Sequence, residues 1–229
     1  MYGFYWDPTY LILLPAIIIS LWAQTKVSST YKKYNKVRTM NGYSGAQIAR
    51  KMLDEAGLFD VQVLMGQGHL TDHYNPKTRI VNLSPDVYNG VTISAAGIAA
   101  HEVGHAIQHK EKYTPLVLRT SIAHVVGLGS KLSMVLFIIG ILVANSALIN
   151  IGIIFFTGTV IFQLVTLPVE FNASSRAISV LENRGILYGD EVNGARRVLG
   201  AAALTYVAAT LMAILQLVRL IAISNRYDD

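Results

Sequence analysis

Two histidines four residues apart, with a glutamate beside the first, stand in the stretch GIAAHEVGHAIQH, residues 97–109. On a helix, His101 and His105 lie one turn apart on one face, which lets two imidazoles reach a single cation. Glu102 is placed to take a proton from a water that the cation polarises. The pattern therefore points to metal-assisted hydrolysis. The competing reading is a buried helix whose polar residues have ordinary partners. Against it, a charged group inside an otherwise apolar helix is costly to bury without a cation or a partner.

A hydrolytic zinc needs three protein ligands and an open position for water, so a further His, Asp or Glu is required. His109 is nearest, but along a continuous helix it lies about 12 Å in rise from His101 and is rotated off the shared face. It is expected to cap the helix or hydrogen-bond locally. Glu170, in LPVEFNASSRA, directly follows an apolar run, and a carboxylate at a membrane edge is expensive without a partner. If the segment after Pro168 is helical, Glu170, Ala173, Ser174 and Ala177 share one face, and its small residues would let it approach the histidine helix closely. The alternative is an interfacial glutamate paired with Arg176 or a lysine. Glu182, Asp190 and Glu191 sit farther into the polar tail.

The elements that must carry these groups are read from composition and pattern. Of 229 residues, 52% are hydrophobic and 14% charged, where soluble proteins carry about 25% charged residues. A membrane protein is expected. The absence of cysteine excludes disulfides, a cysteine nucleophile and thiolate zinc sites. The net charge of +5 comes with no nucleic-acid motif, and its basic residues flank apolar runs. An anionic lipid bilayer is the partner that this implies.

Four spans are predicted, at about residues 9–23, 131–147, 149–168 and 200–219. The first, TYLILLPAIIISLWA, is flanked by the interface-type aromatics Trp6, Tyr10 and Trp22. Asp7 and no cation precede it, and no clear small-x-small cleavage site follows, so it reads as an uncleaved anchor rather than a signal peptide. The second and third form a tight hairpin about Asn145 and Asn150. Lys26, Lys32, Lys33, Lys36 and Arg38 follow the first span; Arg176, Arg184, Arg196 and Arg197 stand between the third and fourth. The positive-inside bias then puts the amino terminus outside and the histidine segment at the cytoplasmic face.

Polar sections at 40–116 and 169–197 are expected to form the catalytic part of a single domain, residues 1–229. Ser44 and Gln47 make a capping box for a helix that closes near Gly57. VQVLMG and RIVNLS read as short strands separated by the turn-rich GQGHLTDHYNPKT. Thr92 or Ser94 caps the histidine helix. Gly97 and Gly104 cost that helix about 1 kcal/mol each, which predicts a close neighbour. The fold class is a mainly α integral membrane protein with about four transmembrane helices and a small α+β cytoplasmic unit.

Together, the anchor, LTDHYNPKTRIVNLSPDVY, GIAAHEVGHAIQH and LPVEFNASSRA resemble the YugP-like neutral zinc metallopeptidases of bacteria over most of the chain. More distantly, the chain is similar to the heat-shock membrane protease and CAAX prenyl protease group, which carries a histidine pair on one helix and a glutamate ligand on a later one. Carried over residue by residue, the resemblance makes His101, His105 and Glu170 the ligands of one zinc ion and Glu102 the general base. It implies a zincin-like, gluzincin-type unit in a bacterial inner membrane, hydrolysing bonds in peptide or membrane-protein substrates. In the distant group an aspartate stands four positions after the ligand glutamate. Here that position is Ser174, with Ser174 or Asn172 as a substitute support for a ligand. His73, Tyr74 and Arg176 are candidates for an oxyanion donor or a substrate contact. RIVNLS would suit either an edge strand, onto which an extended substrate could add, or an internal strand. A reading of a different class is a membrane scaffold in which zinc only staples the polar unit to the spans.

Overall fold

The structure is a computed structural model that describes residues 7–69 and 71–226; Trp6 lies outside the described residues. It is mostly helical. A 3-10 turn, Pro8–Leu13, leads into α1 (Leu14–Tyr34), followed by α2 (Gly45–Glu55), β1 (Gln62–Met65), β2 (His73–Asn75), β3 (Ile80–Leu83), α3 (Pro85–Tyr88), α4 (Ile93–Lys110), α5 (Thr114–Leu142), α6 (Ser146–Asn183) and α7 (Asp190–Ser224). Four helical stretches, Pro8–Tyr34, Thr114–Leu142, Ser146–Asn183 and Asp190–Ser224, are long and apolar enough to cross a membrane.

The chain divides into two compact units. The first comprises Met1–Trp22, Leu118–Leu167 and Thr205–Asp229. Its helices expose large apolar side chains such as Ile18, Val125, Leu142 and Ile154, the composition that lipid rather than water accommodates. Within it, α5 and α6 pack where glycine leaves room: a Cβ at Gly152 would stand 2.8 Å from the Ser133 carbonyl oxygen. The turn between them is short, with Ala144 at a positive φ and the Asn145 side chain accepting from the amide of Leu148. Arg219 is tied to Asp7 and Thr9, and its guanidinium lies 3.8 Å from the centre of the Tyr10 ring. That pairing meets the cost of a cation in an otherwise apolar helix.

The second unit comprises Ala23–Val117 and Pro168–Leu204. Its core is built on α4, whose Ala95, Ala96, Ala99, Ala100, Val103 and Ala106 are all fully buried. Against them pack Ile48, Met52 and Leu53 of α2, Val81 and Leu83 of β3, and Ala177 and Leu181 of α6. Small side chains on α4 let elements close on it from several directions, which explains a helix of high burial with two internal glycines. The capping box at Ser44 and Gln47 is present, and Thr92 rather than Ser94 caps α4, accepting from the amide of Ala95.

Three strands form a sheet in the order β1-β3-β2, with β1 parallel and β2 antiparallel to β3. RIVNLS is thus the internal strand, and an edge position for it is excluded: Val81 pairs with Val63 on one side and Tyr74 on the other. The segment read as only a turn contains the edge strand β2. Period-2 patterning cannot reveal three residues, and β2 is held instead by its neighbours. Asp72, just before it, accepts from both the amide and the hydroxyl of Ser84 at the end of β3. Asn75, at its end, accepts from the amide of Lys77.

Candidate metal centre

His101 and His105 project from one face of α4, with ring centroids 4.7 Å apart. Opposite them α6 supplies Glu170, with only 4% of its surface exposed. The helix does not begin after Pro168; it runs through it from Ser146 to Asn183. What brings α6 to α4 is Gly104. A Cβ there would stand 2.6 Å from the carbonyl oxygen of Ala173, so the two backbones are in contact. Gly97 has no comparable constraint, since its Cβ would meet Ala195 at ordinary distances of 3.6 Å and more.

The Nε2 atoms of His101 and His105 lie 3.3 and 3.5 Å from one Glu170 carboxylate oxygen. One ligand-type atom from each residue falls within 4.8 Å of the other two, a group that could hold a metal ion. Two imidazoles and a carboxylate are the donor set of a zinc site with a position left open. A tetrahedral ion with bonds of about 2.0–2.1 Å separates its ligand atoms by about 3.3 Å, so the spacing fits.

The opposite ring nitrogens are also held. His105 Nδ1 lies 3.0 Å from Gln108 Oε1, which can only accept, so Nδ1 carries a proton and Nε2 is the ring atom turned to Glu170. Gln108 is itself fully buried and donates to the Val169 carbonyl and to Asn172 Oδ1. Gln108, on α4, thereby joins His105 to the stretch of α6 that carries Glu170. His101 Nδ1 lies 3.0 Å from Ser174 Oγ. Asn172 also accepts from Arg176 Nε at 2.7 Å. Gln108 is absent from the sequence reading; its position three residues after His105, on the same helix face, was the signal available.

Glu102 is buried, with 8% of its surface exposed. Desolvation works against a proton on His105, but the Glu170 hydrogen bond and the charges of Glu102 and Glu170 outweigh it and hold His105 above the usual histidine range. A cation entering the group must displace that proton, so its binding weakens as pH falls.

His109 departs from the local role expected of it: its Nδ1 lies 2.9 Å from the Tyr74 hydroxyl on β2. His73 is exposed, with Nδ1 at 2.8 Å from the Thr71 carbonyl oxygen. Arg176 forms an ion pair with Glu111 at 2.6 Å and lies against the Tyr113 ring; the pairing with Glu170 considered for it is not what the geometry gives. Glu182 pairs with Arg196, and Glu191 accepts from the amides of Met40 and Tyr188.

Fold and site together define a helical membrane protein with a two-histidine, one-carboxylate group fit for a metal ion. Over residues 9–225 the chain matches the family described as "Putative neutral zinc metallopeptidase", and it belongs to that family. It is 50% identical over 212 residues to "Putative membrane protease YugP" of Bacillus subtilis (strain 168), which covers 93% of this chain and 94% of that protein. No solved structure matches it. Zinc is the cation that membership of the family implies, and the donor set suits it.

Two substitutions test this geometry. Gln108→Ala is expected to lower zinc affinity by about 10- to 100-fold without abolishing binding, as loss of a ligand's outer partner does; competition with a fluorescent chelator reads it. Gly104→Val, which forces α4 and α6 apart, should abolish stoichiometric zinc, whereas Gly97→Ala should leave metal content unchanged by atomic absorption.

Proposed function

We propose that this protein is a membrane-embedded zinc endopeptidase in which His101, His105 and Glu170 hold one zinc ion and Glu102 is the general base. The observation that carries the reading is the convergence of both Nε2 atoms on the Glu170 carboxylate. It occurs beside a buried Glu102, in a chain of a zinc metallopeptidase family. A zinc ion bound there supplies a Lewis acid that lowers the pKa of water and polarises a scissile carbonyl.

The chain's own groups do the rest. Gln108 and Ser174 orient the two imidazoles through Nδ1, so neither ring must reorganise when the ion binds. Glu102 accepts the proton of the attacking water and delivers it to the leaving amine nitrogen, so the carboxylate returns to its starting state. A peptide or membrane-protein segment in extended form adds to β2, the strand at one edge of the sheet. The Tyr74 hydroxyl, bonded to His109, fastens that edge strand to α4, the helix that bears the histidines. Of the three oxyanion or substrate-contact candidates, Tyr74 is the one bonded to the histidine helix. His73 is turned to the Thr71 carbonyl and Arg176 to Glu111.

The membrane orientation proposed follows the charge distribution. Lys26, Lys32, Lys33, Lys36 and Arg38 come after the first apolar run, and Arg176, Arg184, Arg196 and Arg197 between the third and fourth. That bias supports an amino terminus outside and a metal centre facing the cytoplasm.

Glu102→Gln should retain one zinc per chain while proteolysis falls by at least about 100-fold, the contribution of a positioned proton acceptor. Undiminished cleavage would remove Glu102 as the general base, whereas zinc-loaded wild-type protein with no cleavage of any peptide would favour a zinc-stapled scaffold. The orientation is checked by cysteine labelling of Ser44→Cys and Ser146→Cys in intact cells. A membrane-impermeant maleimide is expected to reach the second and not the first.

A further inference from the structure

One face of α1 in the second unit carries Lys26, Ser29, Thr30 and Lys33, spaced i, i+3, i+4 and i+7. Across a cavity of about 460 Å³ they meet Arg197, Gly200, Ala201 and Leu204 of α7, spaced in the same way. That volume is in the range of small-ligand sites. The two helices approach closely at Gly194, where a Cβ would stand 2.8 Å from the ring of Tyr34. Gly200, two turns on, has nothing within 4 Å of its Cβ position, so an open space is left beside it.

The lining is chemically one-sided. Three cations and two aliphatic hydroxyls face the space, and no carboxylate lines it. Among the described residues, Lys26, Lys33 and Arg197 form no ion pair with a carboxylate. Lys33 lies over the Tyr34 ring, and Arg197 donates to the Tyr34 hydroxyl at 3.5 Å. Three exposed cations lining one space that has no lining carboxylate make its potential positive and attract an anion. Arg and Lys side chains with hydroxyls between them are the donor set that phosphate oxygens take.

The same cavity has an apolar side, Ala201 and Leu204, and each lining helix passes directly into an apolar run. On α1 the run ends at Trp22, an exposed interface-type aromatic one turn before Lys26. On α7 it begins at Ala201. Each helix by itself therefore places its cations where a bilayer's phosphates lie. No carboxylate lines the cavity to receive the ammonium of a zwitterionic headgroup, and the Tyr34 ring that also lines it already has Lys33 over it. We propose that this cavity is a binding site for the phosphate headgroup of an anionic phospholipid, held by Lys26, Lys33 and Arg197 with its glycerol against Ala201 and Leu204. The site is separate in its residues from the metal centre, and the proposal stands whether or not the protein is a peptidase.

Native mass spectrometry of the full chain in detergent, titrated with phosphatidylglycerol or with phosphatidylcholine of the same acyl chains, tests it. Phosphatidylglycerol should be retained in preference. Lys26→Gln and Arg197→Gln should each weaken retention about fivefold, while Lys51→Gln, which removes a charge from α2, should not. Gly200→Leu fills the cavity without changing charge and should weaken retention as well, with an unchanged circular dichroism spectrum as the check on folding. Equal retention of phosphatidylcholine, indifference to all three cavity substitutions, or displacement of the lipid by inorganic phosphate would each overturn the proposal, the last by making this a free-phosphate site.

Discussion

The second unit depends on one close approach, the contact of α4 with α6 at Gly104 and Ala173. Everything polar in the metal centre follows from it. A side chain at position 104 would push the helices apart, and Glu170 could no longer reach both imidazoles. The glycine lowers helix propensity by about 1 kcal/mol, and in exchange the two backbones come within reach of hydrogen bonds between side chains on opposite rods. Gln108, Asn172, Ser174 and His101 make those bonds. The contact is thus a packing feature whose consequence is electrostatic.

That electrostatic consequence also explains why the centre suits a cation. Glu102 and Glu170 are both nearly removed from water, and burying carboxylates is unfavourable unless positive charge accompanies them. Without a metal, His105 supplies it, which is why His105 holds its proton more tightly than a free histidine. A divalent ion supplies the same compensation in a single group. The fully buried Gln108 matters here because a neutral amide orients an imidazole without adding a further buried charge.

The sheet stands beside this centre rather than within it. β3 is internal and β2 lies at an edge, with Tyr74 tied to His109 across the gap between strand and helix. His109 cannot join His101 and His105 on one ion because the helix turns it away. The same rotation aims it at the strand, so the residue excluded as a ligand fixes the element proposed to receive substrate.

Much of this was legible in the chain itself, because it depends on residues close in sequence. The four apolar runs, the capping box at Ser44 and the shared face of His101 and His105 all follow from helical period and composition. The small face of Ala173, Ser174 and Ala177 was legible for the same reason, and it indicated that α6 would pack closely. Other features had no local signal. β2 is three residues long and exists because β3 pairs with it and Asp72 anchors it. The placement of β3 inside the sheet, the Tyr74 bond to His109 and the role of Gln108 were likewise decided only by tertiary structure. The decisive side-chain partners of the centre are 61 to 73 residues apart. At such separations helical periodicity says which face a residue occupies, and only packing decides what that face meets.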